Sequence, residues 1–341
     1  MLVSWMTTRR CNLKCKHCYQ DAGEEASKEE LSTQEAKTLI DGIARAGFKV
    51  MIFSGGEALM REDVLELVSY AASKGIRPVF GTNGTLLTKE KVAEIKAAGA
   101  TAMGISLDSM SREKHNRFRG DPQAYDLTVQ GMKNCVEAGL PFQTHMTIMD
   151  WNKDEVCDVI DFSVATGAMA VHLFFLIPVG RGVMIESDAV KVQEYEDLLR
   201  TIMNKQKTTP VPIKPTCAPQ FTRVAKQLDV PLEGRFSRGC LAGLTYCIIS
   251  PTGIVRPCAY MTEEAGSIRE KPFDEIWKES SLFKHLRTKA YKGSCASCGY
   301  RAMCGGCRAR AGYYHNGDIL AEDSYCAYGQ NKNREIIKCS A

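Results

Sequence analysis

Three cysteines, Cys11, Cys15 and Cys18, follow an apolar run from Leu2 to Met6 at the spacing CxxxCxxC. A cubane [4Fe-4S] cluster normally takes four thiolates. Three at this spacing leave one iron without a local protein ligand, open to a chelating small molecule. The competing reading is a zinc site completed by His17, because structural zinc takes four ligands from closely spaced Cys and His pairs.

A second group of cysteines lies in the last third of the chain, where residues 217–341 hold ten of the fifteen. It comprises Cys240, Cys247 and Cys258, then Cys295-x2-Cys298-x5-Cys304-x2-Cys307, then Cys326. The run from Cys295 to Cys307 taken alone also fits a zinc ribbon. Of the other four, Cys135 and Cys157 fall in expected helices and read as small buried hydrophobes. Cys339 is near the end, and Cys217 lies in the interdomain segment Thr216-Cys217-Ala218-Pro219, where it is expected to face the active cavity and touch substrate.

So many cysteines, with no N-terminal signal pattern, argue for metal ligation in a reducing compartment and predict a cytoplasmic protein. No stretch approaches the length of a membrane span. The net charge of +4 is too small, and too evenly spread, to suggest nucleic acid.

The elements that must position these thiols are legible from periodicity. Strand-like runs occupy 2–8, 50–54, 78–82, 102–106, 142–148 and 170–176. Helical apolar spacing separates them, as in Ala36, Leu39, Ile40, Ile43 and Ala44 behind a Ser32-x-x-Glu35 capping box. Glycines 47, 75, 99, 139 and 167 mark the helix ends. Alternating strands and helices predict an α/β fold, a partial (β/α)6 TIM-like barrel over residues 1–207. A Pro-rich linker over 208–216 and a cysteine-rich, iron–sulfur-binding domain over 217–341 are expected to follow it.

In such folds ligands gather at the C-terminal ends of the strands. After the second strand comes Ser54-Gly55-Gly56-Glu57, whose glycines allow close backbone approach and whose carboxylate suits a ligand ammonium. Thr82-Asn83-Gly84-Thr85 follows the third strand and Ser106-Leu107-Asp108 the fourth, with short polar groups suited to ribose hydroxyls. Gln143, His145 and Thr147 lie on the fifth, and Pro178-Val179-Gly180-Arg181-Gly182 follows the sixth. Each piece alone also reads as an ordinary turn; their order, one per strand end behind a three-cysteine loop, is what carries weight.

Taken together these motifs resemble the radical SAM superfamily across nearly the whole chain. The resemblance implies that Cys11, Cys15 and Cys18 hold a [4Fe-4S] cluster whose open iron chelates S-adenosylmethionine, with His17 by the adenine. Gly55, Gly56 and Glu57 match the motif that binds the methionine amino group. Asn83, Ser106 and Asp108 fall where members contact methionine or ribose, and Arg119 and Arg181 are candidates to pair with a carboxylate. Tyr19, Gln143 and His145 complete the expected cofactor-binding set. Reductive cleavage would yield a 5′-deoxyadenosyl radical that takes hydrogen from substrate, driven by a donor such as ferredoxin or flavodoxin.

Cys240-x12-Gly253-x4-Cys258 and the cysteines after it resemble the SPASM extension of that superfamily, with one residue fewer before Cys307 than is common. By that analogy Cys240, Cys247, Cys258 and Cys307 hold one auxiliary [4Fe-4S] cluster, and Cys295, Cys298, Cys304 and Cys326 a second. The segments 174–182, 217–219 and 304–311 resemble the tetrapyrrole-modifying branch. This implies oxidative decarboxylation of two propionates of Fe-coproporphyrin III to vinyl groups, giving heme b, or else a side-chain modification on the way to heme d1. Substrate carboxylates would then call for arginines, with Arg181, Arg223, Arg235, Arg238, Arg308 and Arg310 as candidates, and His145, His172 or Cys217 as an axial ligand to porphyrin iron.

Two other functions compete. One is a peptide or protein maturase, although a first strand at Leu2 is read as leaving no room for the leader-binding domain common in that class. The other is a non-catalytic iron–sulfur or zinc protein, which would have no need of an open iron.

Overall fold

The computed structural model describes residues 1–232 and 234–330. Ten strands form one sheet: β1 Leu2–Met6, β2 Val50–Ser54, β3 Arg77–Thr82, β4 Ala102–Ser106, β5 Phe142–Ile148, β6 Val171–Phe175, β7 Ile213–Thr216, β8 Tyr246–Ile249, β9 Ile254–Arg256 and β10 Gly266–Ser267. The order is β10-β9-β8-β1-β2-β3-β4-β5-β6-β7. Strands β1 to β7 run parallel in chain order, as successive βαβ crossovers dictate. The sheet stays open, its edges being β7 and β10.

Two features depart from the expected layout. The Pro-rich segment expected as a linker carries β7, in register with β6 through Ile213 opposite Val171 and Pro215 opposite Leu173. As an edge strand it tolerates a proline that would break an interior ladder. The cysteine-rich region also adds β8, parallel to β1 with Leu2 opposite Tyr246. Its Ile249, Val255, Phe273 and Phe283 share one apolar core with Val3, Trp5 and Ile40.

Helix Thr33–Arg45 buries Ala36, Leu39, Ile40 and Ile43 behind the predicted capping box, in which Ser32 and Glu35 satisfy each other's backbone. It stops at Gly47, whose φ of +77° suits a residue without Cβ. Along β5 burial alternates, so Gln143, His145 and Thr147 face the barrel interior while Phe142, Met146 and Ile148 pack under the helices. Among the described residues no helix is long and apolar enough to cross a membrane.

Candidate active site and cluster-binding centres

The cysteine loop is docked by backbone contacts. Gly56 N–H donates to Thr8 O at 2.7 Å and Glu57 N–H to Arg10 O at 2.8 Å. A Cβ on Gly56 would lie 2.3 Å from the Arg10 oxygen, so only glycine lets the two segments meet. The amides of Leu13 and Ala22 donate to the Cys11 and Cys18 sulfurs at 3.4 Å. Arg119 Nη1 stands 3.9 Å from the Cys15 sulfur. These donors favour negative charge on sulfur. Burial nevertheless pushes the Cys11 thiol up to about 12. A thiolate there needs a cation beside it, and cluster iron would supply one.

All three thiols face a cavity of about 580 Å³ that runs through the barrel interior. Also on its wall are His17, Tyr19, Gly55, Gly56, Asn83, Ser106, Arg119, Gln143, His145 and Arg181. His17 stacks on Phe118, with ring centroids 4.2 Å apart at 15°. Burial lowers it to about 3, so the ring is neutral. Its Nδ1 is buried and finds no hydrogen-bond partner among the described residues, as expected of an atom that a ligand completes. Tyr19 meets Tyr260 edge-on at 5.5 Å. Gln143 Nε2 and His145 Nε2 are 2.9 Å apart. His145 is held neutral by burial, which lowers it to about 4, and its ring lies 5.2 Å from that of His172.

The same cavity is also lined by Cys217, Cys240, Cys258 and Cys307. A separate small cavity is lined by Cys295, Cys298, Cys304 and Cys326, the set expected for a second auxiliary cluster. Tyr300 N–H donates to the Cys298 sulfur at 3.4 Å and Gly306 N–H to the Cys304 sulfur at 3.5 Å. Cubane clusters are held by such hydrogen-bonded thiolates.

Residues 5–163 match the radical SAM superfamily and residues 240–299 match SPASM, an iron-sulfur cluster-binding domain. The chain is 39% identical to the AdoMet-dependent heme synthase of Nitratidesulfovibrio vulgaris, over 99% of this chain and 94% of that protein. The chain belongs to the radical SAM superfamily. It is 40% identical to the AdoMet-dependent heme synthase of Methanosarcina barkeri, over 97% of each. Its fold superposes on Streptococcus suis SuiB bound to S-adenosylmethionine with a TM-score of 0.74 at 17% identity, covering 96% of this chain and 77% of that one. As a radical SAM enzyme with a SPASM domain, the chain binds [4Fe-4S] clusters and S-adenosylmethionine.

Of the residues expected to contact ligand in this radical SAM site, Glu57 and Asp108 make their hydrogen bonds inside the protein, while Arg119 and Arg181 line the cavity and also bond protein groups. Glu57 does not line the cavity. It is fully buried, and its carboxylate accepts from Thr82 Oγ1 and Asn83 N–H, both at 2.9 Å, and from Leu59 N–H at 3.3 Å. Asp108 is likewise absent from the wall, accepting from Arg119 Nε at 2.6 Å and Thr147 N–H at 2.9 Å. Burial opposes its charge, but the Arg119 guanidinium beside it holds the carboxyl below the usual range. Arg119 faces the cavity with its Nε committed to that pair. Arg181 staples the loop, donating to Cys15 O at 2.8 Å, Ala22 O at 2.7 Å and Asp21 Oδ1 at 2.9 Å.

The arginines expected for substrate fare similarly. Arg223 pairs with Glu196, Arg308 donates to Ile319 O and Ala321 O, and Arg310 pairs with Asp323. The Arg235 side chain and Cys339 lie outside the described residues. Cys247, expected beside Cys240, Cys258 and Cys307, packs instead in the apolar core on the helix side of β8. Cys217 stands with the other three.

Asn12 and Phe118 were not legible as site residues. Asn12 accepts from Asn83 Nδ2 at 2.9 Å and donates to Thr85 Oγ1 at 2.8 Å, tying the loop to the end of β3. Its place inside the cysteine motif was the available signal. Phe118 had none, since it lies on a helix whose apolar spacing does not mark it.

Proposed function

We propose that this radical SAM enzyme oxidatively decarboxylates two propionates of Fe-coproporphyrin III to vinyl groups, giving heme b. The observation that carries the reading is the cavity itself. One continuous space of about 580 Å³ joins the three-cysteine loop to a second group of thiols, with the imidazoles of His145 and His172 also on its wall. End-to-end similarity to proteins named AdoMet-dependent heme synthase supports the choice of substrate.

Each propionate loses a hydrogen atom from its β-carbon and carbon dioxide, leaving a vinyl group and one electron to be taken up. When bound, the loop cluster with S-adenosylmethionine supplies the hydrogen-abstracting radical, and an auxiliary cluster supplies an acceptor for the electron. The protein's own residues orient and exclude. His17 and Tyr19 wall the loop side with rings, and Asn83 and Ser106 present short polar groups. The neutral imidazole of His145 offers a lone pair or an N–H to an iron porphyrin. With most candidate arginines engaged elsewhere, Arg77 brings positive charge to the lining for substrate carboxylates.

The reading includes a reductant of the ferredoxin or flavodoxin kind and a cytoplasmic location, which fifteen cysteines kept as thiols would suit. Anaerobic incubation with S-adenosylmethionine, dithionite and Fe-coproporphyrin III, followed by mass spectrometry, should show successive loss of two carbon dioxide units and formation of 5′-deoxyadenosine. An unchanged porphyrin in the presence of 5′-deoxyadenosine would move the assignment to a heme d1 precursor or a peptide.

A further inference from the structure

We propose that Cys217, and not Cys247, is the fourth thiolate of the auxiliary cluster held by Cys240, Cys258 and Cys307. The inference rests on the reading of the C-terminal region as a two-cluster domain and changes one of its ligands.

Position on the sheet excludes Cys247. Along β8 the side chains alternate, and Tyr246 and Ile248 line the cavity. Cys247 between them faces the other way, fully buried in the core that holds Phe273, Trp277 and Phe283. Bringing its sulfur to the cavity side would require a one-residue slip of β8. That slip would turn Tyr246 and Ile248 into the helix layer and break the register with β1.

Cys217 meets the opposite conditions. It packs with Cys240 and Cys258 against the apolar cluster that contains Cys307. Its thiol is within hydrogen-bonding reach of the Cys307 thiol. The chain also bears a strain to place this residue. Cys217 has φ +60°, left-handed for a residue that carries a Cβ, a conformation that persists where surrounding structure enforces it.

That surrounding structure is a buried polar network reaching both cysteines. Arg310 Nη2 donates to Cys217 O at 2.8 Å, and Arg310 pairs with Asp323 at 3.3 Å. Asp323 Oδ2 accepts the Cys307 amide and Gln220 Nε2, each at 2.7 Å. Tyr195 Oη donates to Gln220 Oε1 at 2.9 Å. One ion pair thus sets the backbone of Cys217 and of Cys307 together. A cluster ligated in this way would join the end of β7 to the segments flanking β8 and β9, tying the last barrel strand to the cysteine-rich region.

The test uses the full chain with Cys11, Cys15 and Cys18 replaced by Ala, reconstituted anaerobically, so that only auxiliary clusters contribute. Cys217→Ala and Cys247→Ala are each added to this background. Iron and labile sulfide per chain are measured together with the EPR spectrum of the reduced protein. The parent should hold about eight irons with two signals. Cys247→Ala should keep both. Cys217→Ala should either lose about four irons or keep them with one signal shifted and now responsive to an added small-molecule ligand such as cyanide, as an open iron would be. Circular dichroism and melting of each variant separate ligand loss from unfolding, and Cys217→Ser, which retains an oxygen ligand, should give a shifted signal without loss of fold. Loss or shift of a cluster signal in Cys247→Ala, with Cys217→Ala matching the parent, overturns the assignment. A parent that binds four irons or fewer instead sinks the two-cluster reading, and the ligand assignment with it.

Discussion

At the scale of single residues, the site is braced by groups whose types suggested ligand contacts. Asp108 holds Arg119 at 2.6 Å in a buried pair. Replacing Asp108 with Asn leaves a buried guanidinium without counter-charge, which should lower stability by about 3–5 kcal/mol in anaerobic denaturant unfolding. Gly56 fails any side chain for a different reason, because its Cβ would strike the Arg10 carbonyl at 2.3 Å. Gly56→Ala should undock the cysteine loop. Iron content should drop by about four per chain while the auxiliary EPR signals persist. The residue types and order at the strand ends were legible because motif spacing reports them. Whether a carboxylate such as Glu57 faces a ligand or its own backbone was not, because both uses call for the same residue at the same place.

At the scale of elements, periodicity located six barrel strands and the helix caps, since each buries one face and ends on a residue with a distinct backbone demand. It passed over β7, a strand only four residues long that follows Pro212 and contains Pro215, and β8 to β10, which are too short to show a period. The same limit hid Cys247: spacing counts residues, whereas the pleat of β8 decides the face. Ser32→Ala removes half of a capping box and should cost about 1 kcal/mol of stability. The histidine on β5 predicts a pH dependence. Burial lowers His145 from 6.5 to about 4, and His115 similarly to about 4. Between those values the unfolded chain binds protons that the folded chain refuses, so stability should fall as pH drops from about 6.5 towards about 4 and be insensitive to these groups above that window. Melting curves across this range should show the slope, and His145→Gln should reduce it.

At the scale of the whole molecule, three sets of thiols share one frame. Two of them face a common cavity, and the third lies behind in a smaller one. Full reconstitution should give about twelve irons per chain, and removal of the three loop cysteines should leave about eight and abolish 5′-deoxyadenosine formation. An unchanged iron count in that variant would remove the loop from the list of cluster sites.

The pairing of β1 with β8 bears on how such a molecule is made. These strands are far apart in the chain, yet they lie side by side in the sheet. Strand β1 therefore has one edge unsatisfied until β8 has been synthesised, and long-range parallel pairing of this kind is slow. Through that interval the cysteine loop behind β1 lacks the wall formed by Tyr246 and Tyr260. Insertion of the oxygen-sensitive loop cluster thus belongs after β8 has been made, with its closure of the β1 edge as the step that shelters the loop.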